Sequence, residues 1–256
     1  MNVYDILSQT QRQRISDGEA APILSGCGAA TRLLALVWSQ LGDFDTLEYA
    51  WWLRREAEQL EAKGLVIRAV GIGDRAAGQR FCEYTGFPAD WLFVDPHADL
   101  HRQLELYPGL SLKLPGLSAS QNTYLNLLLM CAGVGSPGTL SEVFRGYIGD
   151  RRAPQLIQEE EVVRAAPLPP IKGSFFNLAG GKGFQRPFEL ATLRLRNMAE
   201  SLSHWNTYTP EKAHLNQRGG TFLFDSQGQL LYEHRDRGIL GFADNMSYPL
   251  SFLENL

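Results

Sequence analysis

The sequence predicts an α/β fold, a parallel sheet flanked by helices and continued by an antiparallel hairpin. Three observations predict it. Leu33–Trp38 is a charge-free apolar run of the kind buried on both faces of a sheet. From there to Leu106, apolar runs alternate with segments of helical periodicity. Near the C-terminus, Gly220–Asp225 and Leu230–His234 flank the turn Ser226-Gln227-Gly228-Gln229, a hairpin signal.

The elements follow in order. After the first strand, Asp45 and Glu48 stand three apart, ahead of Ala50, Leu53, Ala57 and Leu60 at helical spacing. This reads as a capping box with Asp45 as the cap, and Gly64 is expected to close the helix. Leu65–Gly71 is the second strand. Arg75–Tyr84 is the second helix, ended by Thr85-Gly86-Phe87-Pro88, and Trp91–Val94 is the third strand. Asp95-Pro96 opens a short helix to Leu104. Residues 115–217 lack strand alternation and carry helices expected at Asn122–Ala132, Leu140–Ile148 and Phe188–Ser203. Connectors rich in Pro and Gly join them, and Phe175, Phe176 and Phe184 indicate that these connectors pack on something. Parallel crossovers, a long insertion and then a hairpin are the layout of a thioredoxin-like sheet, with right-handed crossovers. The expectation is one domain over residues 1–256, with its core at about 20–114 and 218–246 and a helical insertion at 115–217.

Composition narrows the function classes. The 24 basic and 28 acidic residues leave a formal charge of −4, without the basic footprint of a nucleic-acid partner. Three cysteines, an odd count with no close pair, suit a cytoplasmic or equivalent reducing compartment. Met1–Arg12 does not read as a secretory signal. The longest apolar run, Leu125–Val134, is far short of the roughly 20 residues of a membrane span. A soluble protein is expected, with peripheral membrane contact and oligomeric state left open.

Specific strings then carry a resemblance. Trp38-Ser39-Gln40-Leu41 with Gly42-Asp43-Phe44-Asp45 looks like the strand and active-site turn of a thioredoxin fold. Phe93-Val94-Asp95-Pro96 with Asp99, Leu100 and Arg102 resembles the third-strand segment of AhpC/TSA peroxiredoxins, and Arg218–Asp225 their penultimate hairpin strand. His204-Trp205-Asn206, just before that strand, resembles the branch that includes prostamide-reductase-like proteins. The resemblance implies an antioxidant thiol oxidoreductase with a cysteine at the start of the first helix. There, helix N–H groups and an arginine lower the thiol pKa. Gly42 and Asp45 match the two cysteine positions of relatives bearing a CxxC motif, or Asp43 and Thr46 in a register one residue later. None is cysteine. Arg218 matches the family's active-site arginine. Asp45 is expected to occupy the thiolate position, held by the helix start and by Arg218; the alternative is a plain helix cap with Arg218 in solvent.

Other candidates are weaker. Cys27, in a turn before the first strand, and Cys82, on the second helix, are the candidate catalytic thiols, while Cys131 reads as core. His97 and His101 stand at i, i+4 but read as a solvated helix start. Gly71, Gly73 and Gly78 miss the dinucleotide spacing, and Gly181-Lys182-Gly183 is no phosphate loop. That tip, with Arg186, is expected to offer a basic surface to a partner. Of Trp51 and Trp52, at least one should face the sheet. No cofactor or metal is expected. Two readings stay open: a degenerate thiol site in a protein that binds a protein partner through residues 115–217, or a one-cysteine thiol peroxidase using Cys27 or Cys82.

Overall fold

The computed structural model describes residues 2–28 and 32–254. Nine strands are described: β1 (Gln11–Arg14), β2 (Ala20–Pro22), β3 (Arg32–Gln40), β4 (Leu65–Ile72), β5 (Leu92–Val94), β6 (Val162–Val163), β7 (Ile171–Lys172), β8 (Gly220–Phe224) and β9 (Leu230–Arg235). The helices are α1 (Val3–Gln9), α2 (Phe44–Arg55), α3 (Ala57–Ala62), α4 (Arg75–Thr85), α5 (Asp99–Gln103), α6 (Ala119–Cys131), α7 (Thr139–Ile148), α8 (Glu189–Ser203) and α9 (Trp205–Tyr208).

Seven strands form one sheet in the order β2-β1-β5-β4-β3-β8-β9. Strands β3, β4 and β5 run parallel, and β8 and β9 add the antiparallel hairpin beside β3. This is a thioredoxin-like arrangement. It is wider than expected, because β1 and β2 extend it beyond β5, with Gln13 paired to Val94.

The side chains of β3 divide between two cores, as strand geometry requires. Leu34, Leu36 and Trp38 pack with α2 and α4, and that core also takes in Leu156, Ile157, Leu190 and Leu193. Leu33, Ala35 and Val37 face the opposite layer, with Leu7 of α1 and Leu100 and Leu104 from the α5 segment. Residues from 115–217 therefore share the main core. Arg194 of α8 binds Glu48 of α2 at 2.7 Å, tying the two helices.

Several expectations need correcting. The helix expected to run to Gly64 breaks at Glu56, whose ψ of 14° departs from helical geometry, and resumes as α3. Arg186 does not join a basic tip: it is fully buried, paired to Glu189 at 2.6 Å and bound to the Ile157 and Gly173 carbonyls. It ties the connectors of 157–189 together. Lys182 remains outside, paired with Glu159. Trp52 is buried and Trp51 is half-buried, with the Arg55 guanidinium over both rings. Among the described residues, no helix is long and apolar enough to cross a membrane.

Candidate functional site

The site forms where β3 turns into α2. The Asp43 N–H bonds to the Gln40 carbonyl at 2.8 Å, closing the turn early enough to put the cap two residues before the expected one. Asp43 is therefore the cap, its carboxylate accepting the Asp45 N–H at 3.3 Å. Asp45 lies buried inside the first turn, so its reading as the cap is corrected. Thr46, one turn from the cap, exchanges a buried hydroxyl contact with Ser39 at 3.1 Å. Gly42 is a packing position. A Cβ there would fall 2.5 Å from that of Tyr208, so α9 lies directly on the turn.

Arg218 reaches this helix start from the residues leading into β8, and it is fully buried. Its Nη2 donates to Asp43 Oδ2 at 2.6 Å and to the Leu215 carbonyl at 3.3 Å. Its Nη1 donates to Asp45 Oδ2 at 3.4 Å, and its Nε to the Asn216 carbonyl at 3.1 Å. Burial opposes the guanidinium charge, but Asp43 and Asp45 more than offset it and hold the pKa above its ordinary value. The solvated alternative for Arg218 does not hold.

Two further groups complete the cluster, and neither was anticipated. The Leu240 N–H, from the tail after β9, donates to Asp45 Oδ1 at 2.7 Å. Asp236 accepts the Gly219 N–H at 3.2 Å, beside Arg218. A side chain at Gly219 would put its Cβ 2.3 Å from the Val37 carbonyl oxygen, which keeps this backbone tight against β3. Burial pushes Asp236 up to about 6 against the opposing pull of His234 and Arg218. Burial, reinforced by the Asp43 charge, drives Asp45 well above the usual carboxylate range despite Arg218. Two carboxylates thus share one guanidinium with Asp236 close behind them, and the buried cluster favours holding a proton.

The candidate thiols lie elsewhere. Cys27 packs with the core on the Leu33 face, near the start of β3. The nine residues of β3, about 30 Å at 3.3 Å per residue, separate that end from the helix start. Cys82 packs into the α2–α4 core, where burial pushes its thiol up to about 12. Cys131, read from sequence as core, is instead exposed at the end of α6. Its thiol is raised first by partial burial, then by Asp43 and Asp45 against Arg218, so it feels the site's charges.

The histidine pair separates. His97 is exposed and meets Glu211 at 3.2 Å, whereas His101 is fully buried, correcting its solvated reading. His101 Nε2 contacts the Trp38 carbonyl at 2.9 Å, so this nitrogen carries the proton. Burial lowers its pKa to about 4. Asp95, in the string that carried the resemblance, accepts the Leu100 N–H at 2.7 Å and pairs with Arg12. Its role there is to start α5. Among the described residues, no three His, Cys, Asp or Glu side chains are grouped to hold a metal ion.

The family profile of AhpC/TSA antioxidant enzymes matches residues 52–238, nearly three quarters of the chain. The chain belongs to the AhpC/TSA family. The match takes in β4, β5, the helical segment, Arg218 and the hairpin, and it begins after the helix start at Asp43. A search of curated proteins found no match. Membership of the AhpC/TSA family agrees with the thioredoxin-like sheet and gives the chain a peroxiredoxin-like character.

Proposed function

We propose that this AhpC/TSA-family protein works without a thiol at its helix start and serves as a binding protein. One observation carries the reading: the Arg218 guanidinium is spent on Asp43 at 2.6 Å and Asp45 at 3.4 Å. In a thiol enzyme that cation and the helix N–H groups would hold a thiolate. A carboxylate accepts the same electrostatics but does not attack a peroxide O–O bond to give a sulfenate. Four of the five guanidinium donors already have partners, so little of Arg218 is left for a substrate. The removal of Cys27 and Cys82 from this end of the sheet supports the same reading.

On this view residues 115–217 are an insertion within one domain and form the binding element. The shared core and the contact of Tyr208 on Gly42 support that assignment. Three free thiols support a reducing compartment such as the cytoplasm.

The test is hydrogen peroxide consumption with dithiothreitol as reductant, comparing the wild type with Cys27→Ser, Cys82→Ser and Cys131→Ser. The expected result is no consumption above the buffer rate in any of the four. Consumption by the wild type that any one substitution abolishes would replace this reading with a one-cysteine peroxidase.

A further inference from the structure

A cleft of about 710 Å³ opens beside the helix start, between α7, α8 and the connectors of 168–188. Its walls include Val143, Tyr147, Phe176 and Leu195, and its lining reaches Phe44 and Leu240, which flank Asp45 in the fold. We propose that this cleft binds an uncharged, hydrocarbon-rich small molecule. The proposal deepens the binding reading above by naming what residues 115–217 take up.

Volume is the first argument, since ligand pockets run to roughly 300–1,000 Å³ with mostly apolar linings. The choice of side chains is the second. Gly146 sits inside α7, where glycine costs about 0.5–1 kcal/mol relative to alanine. A Cβ there would meet Ala191 of α8 no closer than 3.5 Å, so contact between the helices does not demand glycine. Small residues at 146 and 191 leave the hollow open, while large ones ring it. Phe175, Leu178 and Phe188 are 61%, 83% and 55% exposed at its edge. Apolar side chains left in water around a concavity mark a binding site more often than a fold defect.

Charge decides the ligand class. Arg194 is the charged side chain of the lining, and its guanidinium is engaged by Glu48 at 2.7 Å and Glu142 at 3.1 Å. Thr192 spends its hydroxyl on the Phe188 carbonyl at 2.8 Å. The lining therefore offers no free charge to match a charged ligand, and the neutral phenol of Tyr147 is its uncommitted side-chain hydroxyl. Affinity must come from burying hydrocarbon. A concave hollow with a small-residue floor also suits a compact ligand better than a protein face, whose rim is polar.

The experiment is a fluorescence titration of the full chain with the uncharged probe phenylnaphthylamine, followed by displacement with dodecanol. The expected result is one saturable site, emptied by dodecanol. Filling the hollow with Ala191→Phe or Gly146→Leu is expected to weaken it by about tenfold or more, through the apolar burial lost. Leu178→Asp, at an exposed edge position that cannot unfold the core, is expected to weaken it while leaving the melting temperature unchanged. No uptake by the wild type, or equal uptake by all three variants, overturns the proposal. So does a wild type that excludes the probe and sediments as a dimer broken by Leu178→Asp, which would make the face a contact between copies. Peroxidase activity would remove the thiol-free reading while leaving these titrations standing, so the two fail separately.

Discussion

Arg218 and Asp43 meet at 2.6 Å across 175 positions of sequence, joining the entry to β8 to the cap of α2. The contact is buried on the arginine side, where side-chain exposure is 1%, and nearly so for Asp43 at 12%. Breaking a buried pair by removing one partner leaves the other charge stranded, which costs about 3–5 kcal/mol.

The partners should not be equivalent. Arg218→Gln strands two acids at once and is expected to cost about 3–5 kcal/mol in urea unfolding. Asp45→Asn keeps an oxygen for the Leu240 N–H and leaves Asp43 to neutralise Arg218, so its cost should stay below about 1.5 kcal/mol. Equal costs for the two variants would show that Arg218 is not the hub of the cluster.

A cysteine placed at the cap should regain the electrostatics of a reactive thiol. In Asp43→Cys, the sulfur would sit at the N-terminus of α2 with Arg218 freed from its closest acid. Its pKa is expected to fall below the ordinary value of about 8.5, towards 7.5 or lower. Iodoacetamide labelling against pH, read by mass spectrometry, gives the midpoint for this residue. Cys82, pushed up to about 12, serves as the internal reference. A midpoint at or above about 8.5 would mean that Asp45 and burial, rather than Arg218, govern this corner.

The sequence displayed some of this and hid the rest, for physical reasons. Strands β3 and β4 were legible because burial on both faces strips them of charge, and α4 because its apolar face repeats at helical spacing. Strand β1, Gln-Arg-Gln-Arg, was not. It is a strand because its backbone pairs with β2 on one side and β5 on the other, which needs no apolar side chain. In the site, Arg218 was legible through its string and Asp43 through the Gly-Asp-Phe-Asp turn. Asp236, Leu240 and Cys131 were not, since only the folded tail and the end of α6 bring them near. His101 and Arg186 misled because a charged or polar residue is ordinarily exposed. Each is buried here with backbone carbonyls as partners.

Gly42→Ala should destabilise the protein without touching any charge. The added Cβ would fall 2.5 Å from the Cβ of Tyr208, an atom fixed to the backbone of α9 that cannot swing away. Overpacking of this kind costs about 1–3 kcal/mol. Thermal unfolding checks the cost, and limited proteolysis should show cleavage near α9 first. An unchanged melting temperature would mean that α9 is not seated on the turn.

Two buried groups should make stability depend on pH in opposite directions. Asp236 holds its proton up to about 6 in the folded chain, against about 3.9 when unfolded. The protonated form therefore favours the fold, and this contribution is whole below the unfolded value and lost as pH rises through about 6. His101 is the reverse case, titrating near 4 when folded and near 6.5 when unfolded. Its neutral form favours the fold, so that contribution is whole above about 6.5 and lost as pH falls towards 4. At about 1.4 kcal/mol per unit, the Asp236 shift is worth roughly 3 kcal/mol and the His101 shift roughly 3.5, and in the wild type they largely cancel between pH 4 and 6. Asp236→Asn, which still offers an oxygen to the Gly219 N–H, should separate them. It is expected to stabilise the chain by about 2–3 kcal/mol near pH 8 and by nothing near pH 4, leaving the His101 loss on the acid side uncovered. His101→Gln, which can still donate to the Trp38 carbonyl, should remove that acid-side loss. Urea unfolding of the wild type and both variants at the two pH values is the measurement. A gain from Asp236→Asn that is the same at both would mean that the carboxyl is not forced to ionise within the fold.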